Sequence, residues 1–180
     1  GSTIRNFTIK DYADVNIRGF IEGYYGLPWS NENRMSLMEF GGEFKMTSYI
    51  FAPKDDLYHT SKWRDLYPAE ELAAIEEMVE VGNANKCRFV WTIHPFMHNR
   101  ITEANYANDL AAITNKFESL YEIGVRQFGV LADDSGNVAR STVIKMMNDL
   151  QKWVDSKGDV YSLSFCPQGY NHSWQGDYTE

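Results

Sequence analysis

The chain has 180 residues, 43% hydrophobic and 23% charged, with 17 Lys+Arg against 25 Asp+Glu for a formal net charge of −8. This is the composition of an ordinary globular domain; it excludes a disordered tail and a coiled coil, and no apolar run is long enough to cross a bilayer. The acidic balance argues against nucleic-acid binding, which needs clustered Lys and Arg, so neither nucleic acid nor membrane is expected as a partner.

Gly1-Ser2 reads as a cloning remnant, and residues 1–17 as an N-terminal extension. A β-like run over 18–26 is broken by glycines. Ser30 then caps a helix through Phe40, with Glu32 in its first turn and Gly41-Gly42 at its end. Residues 46–52 are rich in β-branched and aromatic side chains and stop at Pro53. Pro68 sits where a first helical turn tolerates it, followed by a stripe of Leu72, Ile75, Val79 and Gly82 at helical spacing.

The cycle repeats with a strand over 87–93 ending at His94-Pro95, and a helix marked by Leu110, Ile113, Phe117 and Leu120 and ended by Gly124. A strand over 125–132 delivers Asp133-Asp134. Val143, Met147, Leu150 and Val154 mark a helix ended near Gly158, and a last strand covers 160–165. Strands and helices that alternate throughout imply parallel strands joined by crossover helices. Two architectures fit: an open doubly wound sheet, or part of a (β/α)8 barrel, which typically needs ~250 residues. About five βα units are visible, so any barrel is incomplete within this chain.

Parallel α/β folds place ligands at the carboxyl ends of their strands. Those ends carry Glu22-Gly23-Tyr24, Pro53-Lys54-Asp55-Asp56, His94, Asp133-Asp134, and Cys166 to Tyr170. The adjacent aspartates are the sharpest signal. Two neighbouring carboxylates repel, which couples their protonation and lets one stay ionised while the other holds a proton, as acid–base hydrolysis requires. The structural alternative is that they cap the following helix. Lys54-Asp55-Asp56 likewise reads either as a solvated turn or as a sugar-hydroxyl donor flanked by acids. His94 and His98 have helical metal spacing, but Pro95 spoils a helix there and no further ligands complete a site. Cys87 and Cys166 have no identifiable nucleophile's partner, and burial is the default for a free cysteine. Gly23-Tyr24-Tyr25-Gly26 lacks the dinucleotide fingerprint.

With those strand ends, the sequence strongly resembles the catalytic domain of glycoside hydrolase family 84, which contains protein O-GlcNAcases and bacterial β-N-acetylglucosaminidases. The resemblance is carried by Arg18-Gly-Phe-Ile-Glu-Gly-Tyr-Tyr-Gly-Leu-Pro-Trp-Ser30, Tyr49-Ile-Phe-Ala-Pro-Lys-Asp-Asp-Leu-Tyr-His59 and Trp63-Arg-Asp-Leu-Tyr-Pro68. Gly124-Val-Arg-Gln-Phe128, the Asp133-Asp134 pair and Cys166-Pro-Gln-Gly-Tyr-Asn-His-Ser-Trp174 complete it. It implies an α/β fold of the (β/α)8 TIM-barrel type, with residues 18–180 as the N-terminal part of the catalytic barrel.

The resemblance also implies substrate-assisted, retaining hydrolysis of terminal β-linked N-acetylglucosamine through an oxazoline, with no cofactor. Asp133 would orient and polarise the 2-acetamido group; Asp134 would protonate the leaving oxygen and then deprotonate water. Gly23 (through its backbone), Lys54, Cys166 and Tyr170 would contact the sugar, Cys166 and Tyr170 at the acetamido pocket. The implied partner is an N-acetylglucosamine-containing glycan or glycoprotein, and the implied location bacterial, secreted or periplasmic.

Where the family usually has an apolar residue after the aspartates, this chain has Ser135-Gly136, which is expected to loosen the turn that aims them. Gln168-Gly169 replaces a Thr-Glu or Thr-Gln pair. A five-unit chain would expose an unpaired strand at each side. Little or no turnover is therefore expected of it alone, and self-association or a complementing chain would complete the barrel. The alternative is a non-catalytic carbohydrate-binding or self-assembling module.

Overall fold

The computed structural model describes residues 3–136, 138–171 and 173. Strands β1 (Gly19–Glu22), β2 (Ser48–Phe51), β3 (Arg88–Ile93), β4 (Phe128–Leu131) and β5 (Ser164–Cys166) alternate with helices α1 (Asn31–Glu43), α2 (Ala69–Ala84), α3 (Tyr106–Glu122) and α4 (Arg140–Lys157). A 3₁₀ turn, Glu103–Asn105, leads into α3. Gly1-Ser2, His172 and the tail from residue 174 lie outside the described residues. Residues 3–17 carry neither helix nor strand and are largely exposed, joined to the body by Asp11 with Lys45 and by the Arg18 guanidinium on the carbonyls of Val15 and Lys45.

All four strand pairings are parallel, and the strands lie side by side in chain order. This order decides between the two architectures. A doubly wound sheet reverses its order at a switch point; right-handed crossovers in unbroken order put every helix on one face and curl the sheet. The chain is a curled half-barrel of the α/β class.

Alternation along the strands divides the side chains between two faces. Tyr49, Phe51, Phe89, Trp91, Phe128 and Val130 face the helices and form one core with Met38 of α1, Ile75 and Met78 of α2, Ile113 and Phe117 of α3, and Leu150 of α4. α2, α3 and α4 each present an apolar stripe at helical spacing, whereas α1 buries Arg34, Met38 and Gly41. On α4 the buried row is Thr142, Met146, Leu150 and Val154, with Val143 and Met147 half-buried at its margin. The opposite face, the inside of the barrel wall, carries Ile21, which is 57% exposed on the edge strand β1, and runs through Val90 and Thr92 to His94 and through Leu131 to Asp133. β1 and β5 end the sheet without a further partner among the described residues.

Ser30 caps α1 as expected, its hydroxyl accepting from the Asn33 N–H at 3.3 Å. Pro68 stands one residue before the first helical residue of α2, and Gly124 and Gly158 follow α3 and α4 with left-handed φ of 99° and 76°. The expected stop at Gly41-Gly42 is corrected: α1 runs through both to Glu43, and the left-handed residue beyond it is Lys45, φ 61°. The two glycines serve packing. A Cβ on Gly41 would lie 2.9 Å from the Phe20 ring, and one on Gly42 would lie 2.4 Å from the Asn85 carbonyl at the end of α2. Gly42→Ala is therefore expected to destabilise the chain by about 1–3 kcal/mol through overpacking against backbone, read as a lower urea midpoint.

Candidate active site

The carboxyl ends of β1 to β5 converge on one mouth. At its base, Glu22 closes β1 fully buried. Its carboxylate accepts from Arg34 Nε at 2.8 Å and Nη2 at 3.0 Å, from the Trp29 N–H at 3.0 Å and from the Tyr49 hydroxyl. Glu22 thus fixes the loop from Gly23 to Ser30 from below. Gly23 leaves β1 at the start of that loop, and the Tyr24 carbonyl accepts from the Lys54 N–H at 3.2 Å, stitching the first two loops together.

Lys54 does not sit in a solvated turn: its side chain is 1% exposed, and its ammonium donates to Asp133 Oδ2 at 2.6 Å. Nor do the aspartates cap a helix. α4 starts at Arg140 with Ala139 at its N-cap position and no side-chain cap bond, so the pair stands in the turn after β4.

The two carboxylates have different surroundings although they are neighbours in sequence. Asp133 is half-buried, and its Oδ1 is buried with no hydrogen-bond partner among the described residues. His94 Nε2 is 3.6 Å from it, too far for a hydrogen bond. Asp134 is exposed, and its Oδ2 accepts from the Tyr25 hydroxyl at 3.0 Å. Its backbone has φ 52°, a left-handed conformation that aspartate tolerates better than most residues. The two carboxylates have separate partners, Lys54 for Asp133 and Tyr25 for Asp134. Partial burial and the Asp134 carboxylate push the Tyr25 phenol up to about 12, which keeps it a donor.

His94 is buried at the end of β3, where Nε2 lies 2.6 Å from the Asp133 carbonyl. Carbonyl oxygen only accepts, so Nε2 carries the proton. Burial, reinforced by the Lys54 ammonium, holds His94 below its ordinary value and keeps the ring neutral. Its role is to pin the backbone of Asp133; His98 is exposed, so the spacing of the two histidines reflects no shared site. Behind it, His59 donates from Nδ1 to the Thr92 carbonyl at 2.7 Å, and burial lowers it to about 3.

The histidines make the fold acid-sensitive. Between about 3 and the ordinary 6.5, the unfolded chain binds a proton that folded His59 refuses, so its contribution is intact above pH 6.5 and is lost as pH falls. The loss at pH 4.5 is expected to reach about 2–3 kcal/mol. Urea midpoints at pH 7.5 and 4.5 check it, and His59→Asn, which keeps a donor toward Thr92 without titrating, should flatten the dependence.

Cys166 ends β5 beside this turn; its carbonyl accepts from the Ala132 N–H at 2.9 Å, and burial, with Asp133 next, raises its thiol. Tyr170 lies exposed four residues on. The strand register therefore brings Gly23, Lys54, Asp133, Asp134 and Cys166 to one end of the sheet, with Tyr170 on the loop leaving β5. Sequence reasoning missed Tyr25 as the partner of Asp134 and gave His94 no role at Asp133. Tyr25 left only the faint signal of an aromatic residue in a glycine-flanked loop.

The sequence pattern of the beta-N-acetylglucosaminidase family matches residues 18–180. The chain belongs to that family, glycoside hydrolase family 84. Protein O-GlcNAcase from Rattus norvegicus and that from Mus musculus are each 26% identical over 163 residues, covering 84% of this chain and 17% of theirs. The solved structure of CpGH84D is similar at TM-score 0.86 and 59% identity, covering 92% of this chain and 28% of that one. CpGH84B gives TM-score 0.86 at 37% identity over 92% of this chain and 29% of its own, and a point mutant of Thermobaculum terrenum O-GlcNAc hydrolase gives 0.77 at 25% over 86% and 36%. This chain spans well under half of each of these relatives.

Against the family pattern, Ser135-Gly136 does not leave the turn loose. The Ser135 hydroxyl donates to the Ala132 carbonyl at 2.5 Å, and the Gln168 amide reaches across from the loop after β5 to the carbonyls of Ser135 at 2.7 Å and Gly136 at 3.0 Å.

Proposed function

We propose that this family 84 chain supplies the acetamido-reading half of a β-N-acetylglucosaminidase site, acting on terminal β-linked N-acetylglucosamine of a glycan or glycoprotein by substrate-assisted, retaining hydrolysis. The observation that carries it is the unequal pair. Asp133 has one oxygen occupied by Lys54 and the other buried and without a hydrogen-bond partner among the described residues, an acceptor suited to the N–H of a 2-acetamido group. Accepting that proton's hydrogen bond makes the acetamido oxygen a better nucleophile toward the anomeric carbon, with the oxazoline as product of the first step. Asp134, exposed and hydrogen-bonded by Tyr25, would give a proton to the leaving oxygen and then take one from water. Because the sugar provides the nucleophile, the carboxyl groups need not flank the ring as in two-carboxylate glycosidases.

Gly23 and Lys54 at the first two loops, and Cys166 and Tyr170 at the fifth, would contact the sugar around this pair. Turnover by this chain alone is expected to be weak or absent, because five strands make only part of a barrel mouth. The test is calorimetric titration with a thiazoline mimic of the oxazoline, for the unaltered chain and for Asp133→Asn. Binding that the variant loses supports the reading; absence of binding by the unaltered chain, or equal affinity in both, overturns it.

A further inference from the structure

We propose that Gln168 is a positioning residue, clamping the turn that carries Asp133 and Asp134 so that the two carboxylates keep their separate partners. Its importance for the reaction rests on the glycosidase reading above; the clamp itself does not.

The turn has three features that call for an external hold. Asp134 adopts a left-handed φ of 52° without being glycine. Gly136 follows two residues later and offers no side chain of its own; a Cβ there would stand 2.7 Å from the Arg100 guanidinium, so Arg100 packs close against that side. The next helix begins only at Arg140, with no side-chain cap, so α4 does not anchor the turn.

His94 holds the Asp133 carbonyl at the start of the turn; what crosses to the residues after the aspartates is the Gln168 amide. It lies two residues beyond the end of β5, and Nε2 is 2.7 Å from the Ser135 carbonyl and 3.0 Å from the Gly136 carbonyl. Both partners only accept, so the NH2 end of the amide must face them, and its two hydrogens match the two carbonyls. From inside the turn, the Ser135 hydroxyl closes back on the Ala132 carbonyl. The carbonyls that follow the aspartates are therefore tied to the neighbouring strand's loop. A change of φ at Asp134 either turns the 133–134 peptide, whose carbonyl His94 holds, or swings the residues that follow, whose carbonyls Gln168 holds, so it breaks a bond on one side or the other. Gln168 reaches no carboxylate oxygen in this arrangement and acts through the backbone only.

The test compares Gln168→Met, of similar length with no donor, and Gln168→Lys, whose ammonium can donate to both carbonyls. NMR relaxation should give rigid amides at Asp134, Ser135 and Gly136 in the unaltered chain, with order parameters near about 0.85, falling below about 0.6 in Gln168→Met. Affinity for the thiazoline mimic should drop by about 10- to 100-fold in Gln168→Met, with a thermal midpoint shifted by no more than about 4 °C. Gln168→Lys should restore both rigidity and affinity. Unchanged order parameters in Gln168→Met would overturn the clamp. Increased mobility with unchanged affinity would overturn its role in positioning, as would an affinity loss that tracks the thermal midpoint and is not rescued by lysine. If the unaltered chain binds no mimic, the glycosidase reading fails, and the clamp is judged by the order parameters.

Discussion

Glu22→Ala is expected to lower the stability of the chain by about 3–5 kcal/mol, the cost of removing one partner from a buried, hydrogen-bonded ion pair. Glu22 is fully buried and the Arg34 side chain 9% exposed, so the guanidinium left behind has little water to turn to. The loss is compounded because the same carboxylate holds the Trp29 N–H and the Tyr49 hydroxyl. Removing Arg34 as well, in Glu22→Ala/Arg34→Met, should recover part of the stability, since no uncompensated charge then remains. Urea denaturation of the two variants measures both quantities. If the double variant is the less stable by the full sum of the single losses, the ion pair is not what Glu22 contributes. The expected local consequence is a looser loop from Gly23 to Ser30, which carries Tyr25 to Asp134.

Asp133→Asn is expected to weaken binding of the oxazoline mimic by about 10- to 100-fold, the equivalent of one charge-assisted hydrogen bond. The carboxamide is nearly the same shape, so a lost affinity reports charge and acceptor strength rather than space. The substitution also touches the fold, because the Lys54 ammonium, 1% exposed, keeps an oxygen to donate to but loses its counter-charge. Thermal unfolding by circular dichroism, run beside the calorimetry, separates the effects: a thermal midpoint well above the titration temperature means that the folded variant has lost recognition. A variant already unfolding at that temperature would assign the loss to folding and not to recognition.

The strand ends were legible because short apolar runs stop abruptly at Pro53, His94 and Asp133, and an ionisable residue directly after such a run is conspicuous. The alternation of strands and helices gave the α/β class, but not the order of strands: the same pattern serves a doubly wound sheet, and only the spatial sequence β1 to β5 separates the two. Gly41-Gly42 misled because a double glycine after an apolar periodic segment has the composition of a helix stop, whereas its use here is clearance for Phe20 and Asn85, neighbours that local pattern does not reveal. Capping by the aspartates was a fair expectation while the start of α4 was unknown; Ala139 at its N-cap carries no side-chain signal. Burial of Lys54, and the contacts of Tyr25 with Asp134 and of Gln168 with the Ser135 and Gly136 carbonyls, depend on loops brought together by the sheet. No window along the chain contains them.

The strand order has a consequence for how the chain is made. Gly19 pairs with Ser48, Ser48 with Arg88, Trp91 with Phe128 and Gly129 with Ser164, each pair separated by a single helical crossover. Each of β2 to β5 leaves the ribosome with its preceding partner already synthesised, and β1 waits only for β2, the next strand to come. The chain can therefore fold vectorially, one unit docking on the last, with loop closures of modest and nearly equal entropic cost. The growing edge at each stage is the newest strand, and it is the edge to which the following strand adds.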